Sequence, residues 1–282
     1  MKNIFNKAYL EITNICNLSC SFCKGTHREK HFMSEQDFII ATKKLRKITS
    51  YIYFHILGEP TLHPSISRFL EICHELDFKV IITTNGTLLD SVSQILLSSP
   101  ALHKVNISLH SLEANEGLSF DKYLDVCVDF AKKMSASGKI CVLRLWNGDS
   151  KGKYNIGKLN DGIISRLEKS FDRAFWKQNT KGYRLSDKLF LEFAERFEWR
   201  EEHGLDEVRC YGLRDQIGVL VDGRIVPCCI DCDGAITLGN IFTDDIEEVI
   251  NSSLAKEIST GFRNGKAVHP YCQKCGFVRT RL

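Results

Sequence analysis

The sequence lacks any apolar run approaching the roughly 18–20 residues that a membrane span requires. Its start, Met1-Lys2-Asn3-Ile4, lacks the positive-then-apolar plan of a secretory signal. No segment repeats, no tract is of low complexity, and no obvious linker divides the chain. An excess of charge of one sign is missing too, since 38 Lys and Arg face 35 Asp and Glu for a net +3. These absences argue against a membrane partner and give no strong nucleic-acid signal; the expected location is cytoplasmic. A local basic patch for a phosphorylated small substrate stays open, because a total hides local charge.

The composition is that of a globular protein: 43% hydrophobic and 26% charged residues over 282 positions. Cysteine is abundant, with 12 in the chain, although structural disulfides are rare in a reducing compartment. The cysteines are also clustered. Cys16, Cys20 and Cys23 lie together, Cys210, Cys228, Cys229, Cys232, Cys272 and Cys275 lie in the last third, and Cys73, Cys127 and Cys141 are scattered between. Clusters of this kind point to metal or redox chemistry. The scattered three fall on apolar helix faces or in a strand, where a thiol acts as a small hydrophobe.

The first two-thirds alternates short β-rich runs with helical stretches. Strands are expected at Ala8–Ile12, Tyr51–Leu57, Lys79–Thr84, Lys104–Leu109 and Lys139–Trp146, with a less regular sixth at Leu189–Phe197. Helices are expected from Ser34 (with Asp37 completing a capping-type start) to Lys47, and at Pro64–Asp77, Leu88–Ser98, Phe120–Ala136 and Asn160–Ser170. Repeated βα units whose strands are apolar on both faces imply a parallel sheet, and about six units fall short of a closed eight-fold barrel. Beyond Arg209 the pattern changes: Gln216–Val221 and Arg224–Val226 flank an Asp222-Gly223 turn as a β-hairpin. An amphipathic helix is expected over Thr243–Ser259. The division falls near residue 200, giving domains 1–200 and 201–282.

Three thiolates on one short loop, Cys16-x3-Cys20-x2-Cys23, can hold three irons of a [4Fe–4S] cube and leave the fourth open. A zinc site completed by His27 or His31 is the alternative. Cys-x3-Cys-x-aromatic-Cys after a first strand is similar to the signature of the radical S-adenosylmethionine (SAM) superfamily. That resemblance implies a partial (β/α)6 barrel whose cluster binds SAM and cleaves it reductively to a 5′-deoxyadenosyl radical. It makes Cys16, Cys20 and Cys23 the cluster ligands and Phe22 a packing partner of cluster and adenine. Gly58-Glu59-Pro60 resembles the family's Gly-Gly-Glu motif, with Leu57 at the first glycine. It would present backbone carbonyls and a carboxylate to the SAM ammonium group; an ordinary turn is the alternative. Asn85 at the end of strand three is a further candidate for SAM. Ser108 and Arg144, on strands four and five, would bind its carboxylate, because an arginine in a buried strand is costly unless paired with an anion. A structural salt bridge from Arg144 to Glu11 or Glu59 is the competing reading. His110 is a candidate catalytic residue facing the substrate, or a structural histidine.

Cys210, Cys228, Cys272 and Cys275 can supply four thiolates, enough to fill every iron of a second [4Fe–4S] cluster; zinc is again the alternative. Their order resembles the auxiliary-cluster "twitch" domain, a shortened SPASM domain, as do the strings Val221–Cys228 and Leu238–Ile241. Cys229 and Cys232 are read as spare thiols. The resemblance covers nearly the whole chain and implies a small polar substrate held between SAM and the auxiliary cluster, with an electron donor such as flavodoxin or ferredoxin. Size and architecture resemble the queuine lyases, which release queuine from a queuosine nucleotide. On that reading Arg144, Arg214 or nearby lysines would contact a phosphate, and Asp231 (a second catalytic candidate) or Asp233 the cyclopentenediol or base. Peptide-modifying radical SAM maturases, twitch-type alcohol dehydrogenases and a non-catalytic zinc module are the rival classes.

Overall fold

Alternation along the strands sets the architecture. Residues spaced two apart share a face, and one such set runs level across the sheet: Leu10, Phe54, Ile82, Val105, Cys141 and Leu189. All six belong to the main hydrophobic core. The computed structural model describes residues 3–115, 117–148, 157–197 and 208–277. Its elements run β1 (Lys7–Leu10), α1 (Glu35–Arg46), β2 (Tyr51–Phe54), α2 (Ile66–Glu75), β3 (Lys79–Thr84), α3 (Leu89–Ser98), β4 (Leu102–Ser108), α4 (Phe120–Ala136), β5 (Ile140–Gly148) and α5 (Asn160–Ser170). There follow β6 (Lys177–Asn179), β7 (Gly182–Arg184), β8 (Leu189–Glu195), β9 (Gln216–Val219), β10 (Arg224–Val226), β11 (Gly239–Asn240), α6 (Ile246–Ile250), α7 (Ser253–Arg263) and α8 (Pro270–Gln273).

Strands β1, β2, β3, β4, β5 and β8 are neighbours in that order and all parallel. This is the six-stranded partial barrel, and Leu189–Glu195 is its sixth strand despite Glu192, Glu195 and Arg196 in Leu189–Phe197. The helices start where the residue chemistry says they should. Ser34 caps α1 by accepting from the Asp37 amide, and one face of α2 buries Ile66, Phe69, Leu70 and Cys73. Cys73, Cys127 and Cys141 are all fully buried in the core.

Three expectations need correction. The strands are not apolar on both faces: the face turned away from the main core carries Tyr9, Tyr53, Lys104, Asn106, Arg144 and Glu192. The expected helix over Thr243–Ser259 is two helices, because Ser252 caps a fresh start by accepting from the Ala255 amide, and Asp245 rather than Thr243 caps the first. The hairpin after Arg209 also has a partner that its sequence does not announce. β9 pairs parallel with β1, with Tyr9 opposite Gly218, so β9, β10 and β11 extend the barrel's own sheet. On the other edge, β6 and β7 form an antiparallel addition to β8. The expected domain boundary at 200 and 201 lies outside the described residues.

Candidate active site

The cysteine loop leaves β1 and is closed at its base by side chains. Asn14 donates to the Glu29 carbonyl at 2.8 Å and accepts from the His31 amide at 2.7 Å, while Thr13 donates to the His31 carbonyl. Within the loop the Cys23 amide donates to the Cys20 carbonyl at 2.9 Å, a tight turn that brings the last two cysteines close. The Cys16 sulfur accepts from the Leu18 amide at 3.5 Å and the Asn85 side chain at 3.8 Å, and the Cys20 sulfur accepts from the Asn115 side chain at 3.2 Å. Burial pushes the Cys16 and Cys20 thiols up, as do neighbouring negative groups. Half-buried sulfurs furnished with amide donors suit thiolates whose charge is met by bound cationic iron. Among the described residues no three His, Cys, Asp or Glu side chains converge on one metal ion, and His27 and His31 complete no such group. A cube does not ask for that convergence, because each thiolate binds a different iron.

Phe22 packs against His110, with ring centroids 5.1 Å apart. His110 is buried, its Nδ1 3.1 Å from the Arg144 carbonyl, and burial lowers its pKa to about 4. The imidazole is therefore neutral at ordinary pH, a wall beside the loop and not a charged acid.

Gly58 has φ +73, and a Cβ there would stand 2.3 Å from the Thr13 carbonyl oxygen. The chain needs glycine at this point so that β2's exit can lie against the cysteine loop, where the Glu59 amide donates to the Ile15 carbonyl at 2.8 Å. The Glu59 carboxylate is spent internally. It is 1% exposed and accepts from the Thr61 amide and hydroxyl and from the Asn85 amide. What this motif offers a ligand is backbone; Pro60 is buried in the turn that follows. Asn85 ties the exit of β3 to the loop, donating to Asn17 at 2.9 Å as well as to Cys16.

Ser108 and Arg144 lie level on β4 and β5, with Glu192 next on β8. Arg144 makes neither expected salt bridge: Glu11 pairs with Arg28 at 2.7 Å and Glu59 is satisfied as above. Its guanidinium stacks 4.1 Å from the Trp146 ring, and its buried Nε has no hydrogen-bond partner. Burial lowers its pKa to about 10, still a cation at neutral pH.

At the other end of the sequence, Cys210, Cys228, Cys272 and Cys275 line one cavity with Gly212, Asp231 and Tyr271. Burial drives the Cys228 and Cys272 thiols up, and the mutual proximity of Cys210 and Cys275 adds to it. Crowded, buried thiols of this kind fit a four-thiolate cluster site. Cys229 and Cys232 do not line that cavity. Cys229 hydrogen-bonds Tyr9, and Cys232 is buried with its sulfur donating to the Gly25 carbonyl at 3.9 Å.

Three expectations for the substrate fail on geometry, the first being Asp233, whose two carboxylate oxygens are taken by Lys24 and Thr26. Asp231 is 1% exposed and its carboxylate accepts from the Ala235 and Ile236 amides, both at 2.8 Å, which makes it a loop cap and removes it as an acid or base. Arg214 is exposed and precedes β9, which runs parallel to β1, so it sits at the end of the sheet opposite the cysteine loop. Sequence reasoning missed Asn115, which nothing local distinguishes. It also missed Tyr9, Tyr53, His55 and Glu192, although Tyr51-x-Tyr53-x-His55 has the two-residue period of one strand face.

Comparison with known proteins now bears on this geometry. Residues 10–147 match the model of the radical SAM superfamily, and residues 210–276 that of the SPASM iron–sulfur cluster-binding domain. A relative from Sulfurisphaera tokodaii, named probable GTP 3′,8-cyclase, is 30% identical over 85% of this chain and 86% of its own length. The chain belongs to the radical SAM superfamily. A second relative, the probable GTP 3′,8-cyclase of Methanocaldococcus jannaschii, is 24% identical over 94% of this chain and 92% of its own. Among solved structures, BtrN in complex with AdoMet and 2-DOIA superposes with TM-score 0.61 at 16% identity, over 98% of this chain and 94% of that one, a likeness of fold. As a radical SAM enzyme with a SPASM domain, this protein uses a [4Fe–4S] cluster that binds SAM and an auxiliary [4Fe–4S] cluster. No helix among the described residues is long and apolar enough to cross a membrane.

Proposed function

We propose that this radical SAM enzyme abstracts hydrogen from a small polar substrate of the nucleotide class, specifically a queuosine nucleotide from which queuine is released. When bound, the cluster supplies the electron that cleaves SAM to methionine and the 5′-deoxyadenosyl radical. The chain's own residues do the holding. Cys16, Cys20 and Cys23 bind three irons, Asn85 and Asn115 steady two of the sulfurs, and Phe22 against His110 walls the adenine side. Ser108 and Arg144 take the SAM carboxylate.

The observation that carries this reading is Arg144: a buried cation with an unpartnered Nε, level with Ser108 and one contact from the Phe22–His110 wall. Such a group is costly unless an anion meets it. The same face supports a nucleotide. The Tyr9 and Tyr53 rings lie 5.2 Å apart on it, Lys104 is level with them on β4, and Glu192 is the acidic neighbour opposite Arg144. His55 is neutral, its pKa lowered to about 4 by burial and by the Arg144 and Lys7 charges. Aromatic rings with cations suit a base and a phosphate, and the relatives' name, GTP 3′,8-cyclase, is that of an enzyme acting on a purine nucleotide. Electrons would come from a donor such as flavodoxin or ferredoxin.

The test is isotope transfer. Anaerobically reconstituted protein, with reductant and SAM, is offered queuosine 5′-monophosphate deuterated on the ribose, deuterated GTP, or deuterated peptides. Deuterium should appear in 5′-deoxyadenosine from the queuosine nucleotide, with queuine released. Label arriving only from GTP or only from peptide would replace the proposed substrate.

A further inference from the structure

The chain just after Cys23 is clamped to the auxiliary-cluster region. Lys24 Nζ lies 3.0 Å from an Asp233 carboxylate oxygen and donates to the Tyr271 hydroxyl at 3.3 Å. The Thr26 hydroxyl donates to the other Asp233 oxygen at 2.7 Å. Arg28 donates through Nε to the Cys232 carbonyl at 2.9 Å and through a terminal nitrogen to Glu11 at 2.7 Å. Glu11 in turn accepts from the Val221 amide at 2.9 Å. Tyr271 donates to the Ile230 carbonyl and lines the cavity of Cys228 and Cys272. Three residues just after Cys23, namely Lys24, Thr26 and Arg28, are thus held by Cys232, Asp233 and Tyr271, which neighbour the other set of cysteines.

The inner part of this clamp is dry. The Arg28 side chain is 9% exposed and that of Glu11 0%. A buried ion pair is a poor source of net stability compared with apolar replacements, but it punishes any other arrangement of its partners, since one charge would be left alone. The first half of the loop that bears Cys16, Cys20 and Cys23 is tied by its base, by the Glu59 amide on the Ile15 carbonyl, by Asn85 and Asn115, and by Asn17 donating to Thr87 at 2.8 Å. The clamp adds a fixed point beyond Cys23, and it comes from the C-terminal region.

We propose that Arg28 and Asp233 are positioning residues through which the auxiliary-cluster region orders the loop of the SAM-binding cluster, so that SAM meets a site already in shape. The proposal rests on the reading that this loop holds that cluster. Ordering a loop before binding raises affinity by removing an ordering cost from the binding step. It does not alter the bond-breaking step, so the effect belongs in KM for SAM and not in kcat.

Two measurements test this on Asp233→Asn with Thr26→Val, positions partly open to solvent, and on Arg28→Lys, which keeps the charge but loses the two-armed grip. Hydrogen exchange across residues 19–28 of the cluster-free chain should quicken about tenfold in the double variant. In the loaded enzyme KM for SAM should rise about fivefold with kcat for 5′-deoxyadenosine nearly unchanged. Arg28→Lys should fall between wild type and the double variant in both. Should the double variant fail to fold, Asp233→Asn alone, which only removes a charge, carries the same two readings. Unchanged exchange overturns the proposal, as does faster exchange with an unchanged KM. A wild-type protein that makes no 5′-deoxyadenosine would instead defeat the functional reading, and the exchange result would still stand on its own.

Discussion

The two cysteine sites differ in more than the number of thiols. The N-terminal three sit on an excursion beyond β1, with Cys23 exposed and the sulfurs of Cys16 and Cys20 reached by amide donors from Asn85 and Asn115. The C-terminal four face one another across a lined cavity formed around β10 and α8. The first loop leaves Cys23 exposed, whereas the second set of thiols lines one cavity. A cluster that must bind SAM needs the first, and one that only supports needs the second.

The largest effect should come from removing a ligand on the open side. Cys20→Ala should lower 5′-deoxyadenosine formation by about a thousandfold or more while iron falls from about eight to about four atoms per chain. Iron analysis with product chromatography checks both numbers. Next comes the anion seat: Arg144→Ala should weaken SAM binding about 30-fold, the value of a charged hydrogen bond near 2 kcal/mol, while leaving iron content alone. Isothermal titration with SAM would show it, and unchanged affinity would hand Arg144 to the substrate.

A smaller effect concerns the wall beside the N-terminal cysteine loop. His110 has a pKa of about 4 in the fold and about 6.5 when unfolded, so the unfolded chain binds the proton more readily. Its contribution is present above about pH 6.5 and is lost as pH falls toward 4, by about 3 kcal/mol in all. Melting of the cluster-free chain between pH 7 and pH 4.5 should therefore be steeper in wild type than in His110→Gln. The smallest effect sharpens the closed site. Cys229→Ala should leave iron content unchanged, because Cys229 is engaged with Tyr9 outside the cavity; a loss of about four irons would make it a ligand in place of Cys228.

Much of this was legible in the residues, and the limits have physical causes. The six parallel strands follow from apolar runs and capping residues such as Ser34, and the two cysteine groupings, proposed as ligand sets, from cysteine spacing. Roles decided by what a side chain meets across the fold did not show. Glu59 reads as a ligand for an ammonium group, yet its oxygens are taken by Thr61 and Asn85. Asp231 reads as an acid and is a loop cap, and Asn115 carries no local mark although it reaches Cys20. β6 and β7 escaped notice because three-residue strands without buried residues give no alternation to read. The pairing of β9 with β1 joins segments some two hundred residues apart, a contact that local pattern cannot announce.

The division of labour between the two sites is tested most directly by electron paramagnetic resonance of the reduced, fully loaded protein with and without SAM. On the proposed ligand sets, three thiolates for one cluster and four for the other, one of the two cluster signals should change on adding SAM and the other should not. A spectrum that SAM leaves unaltered, or one in which both signals move, would contradict the account.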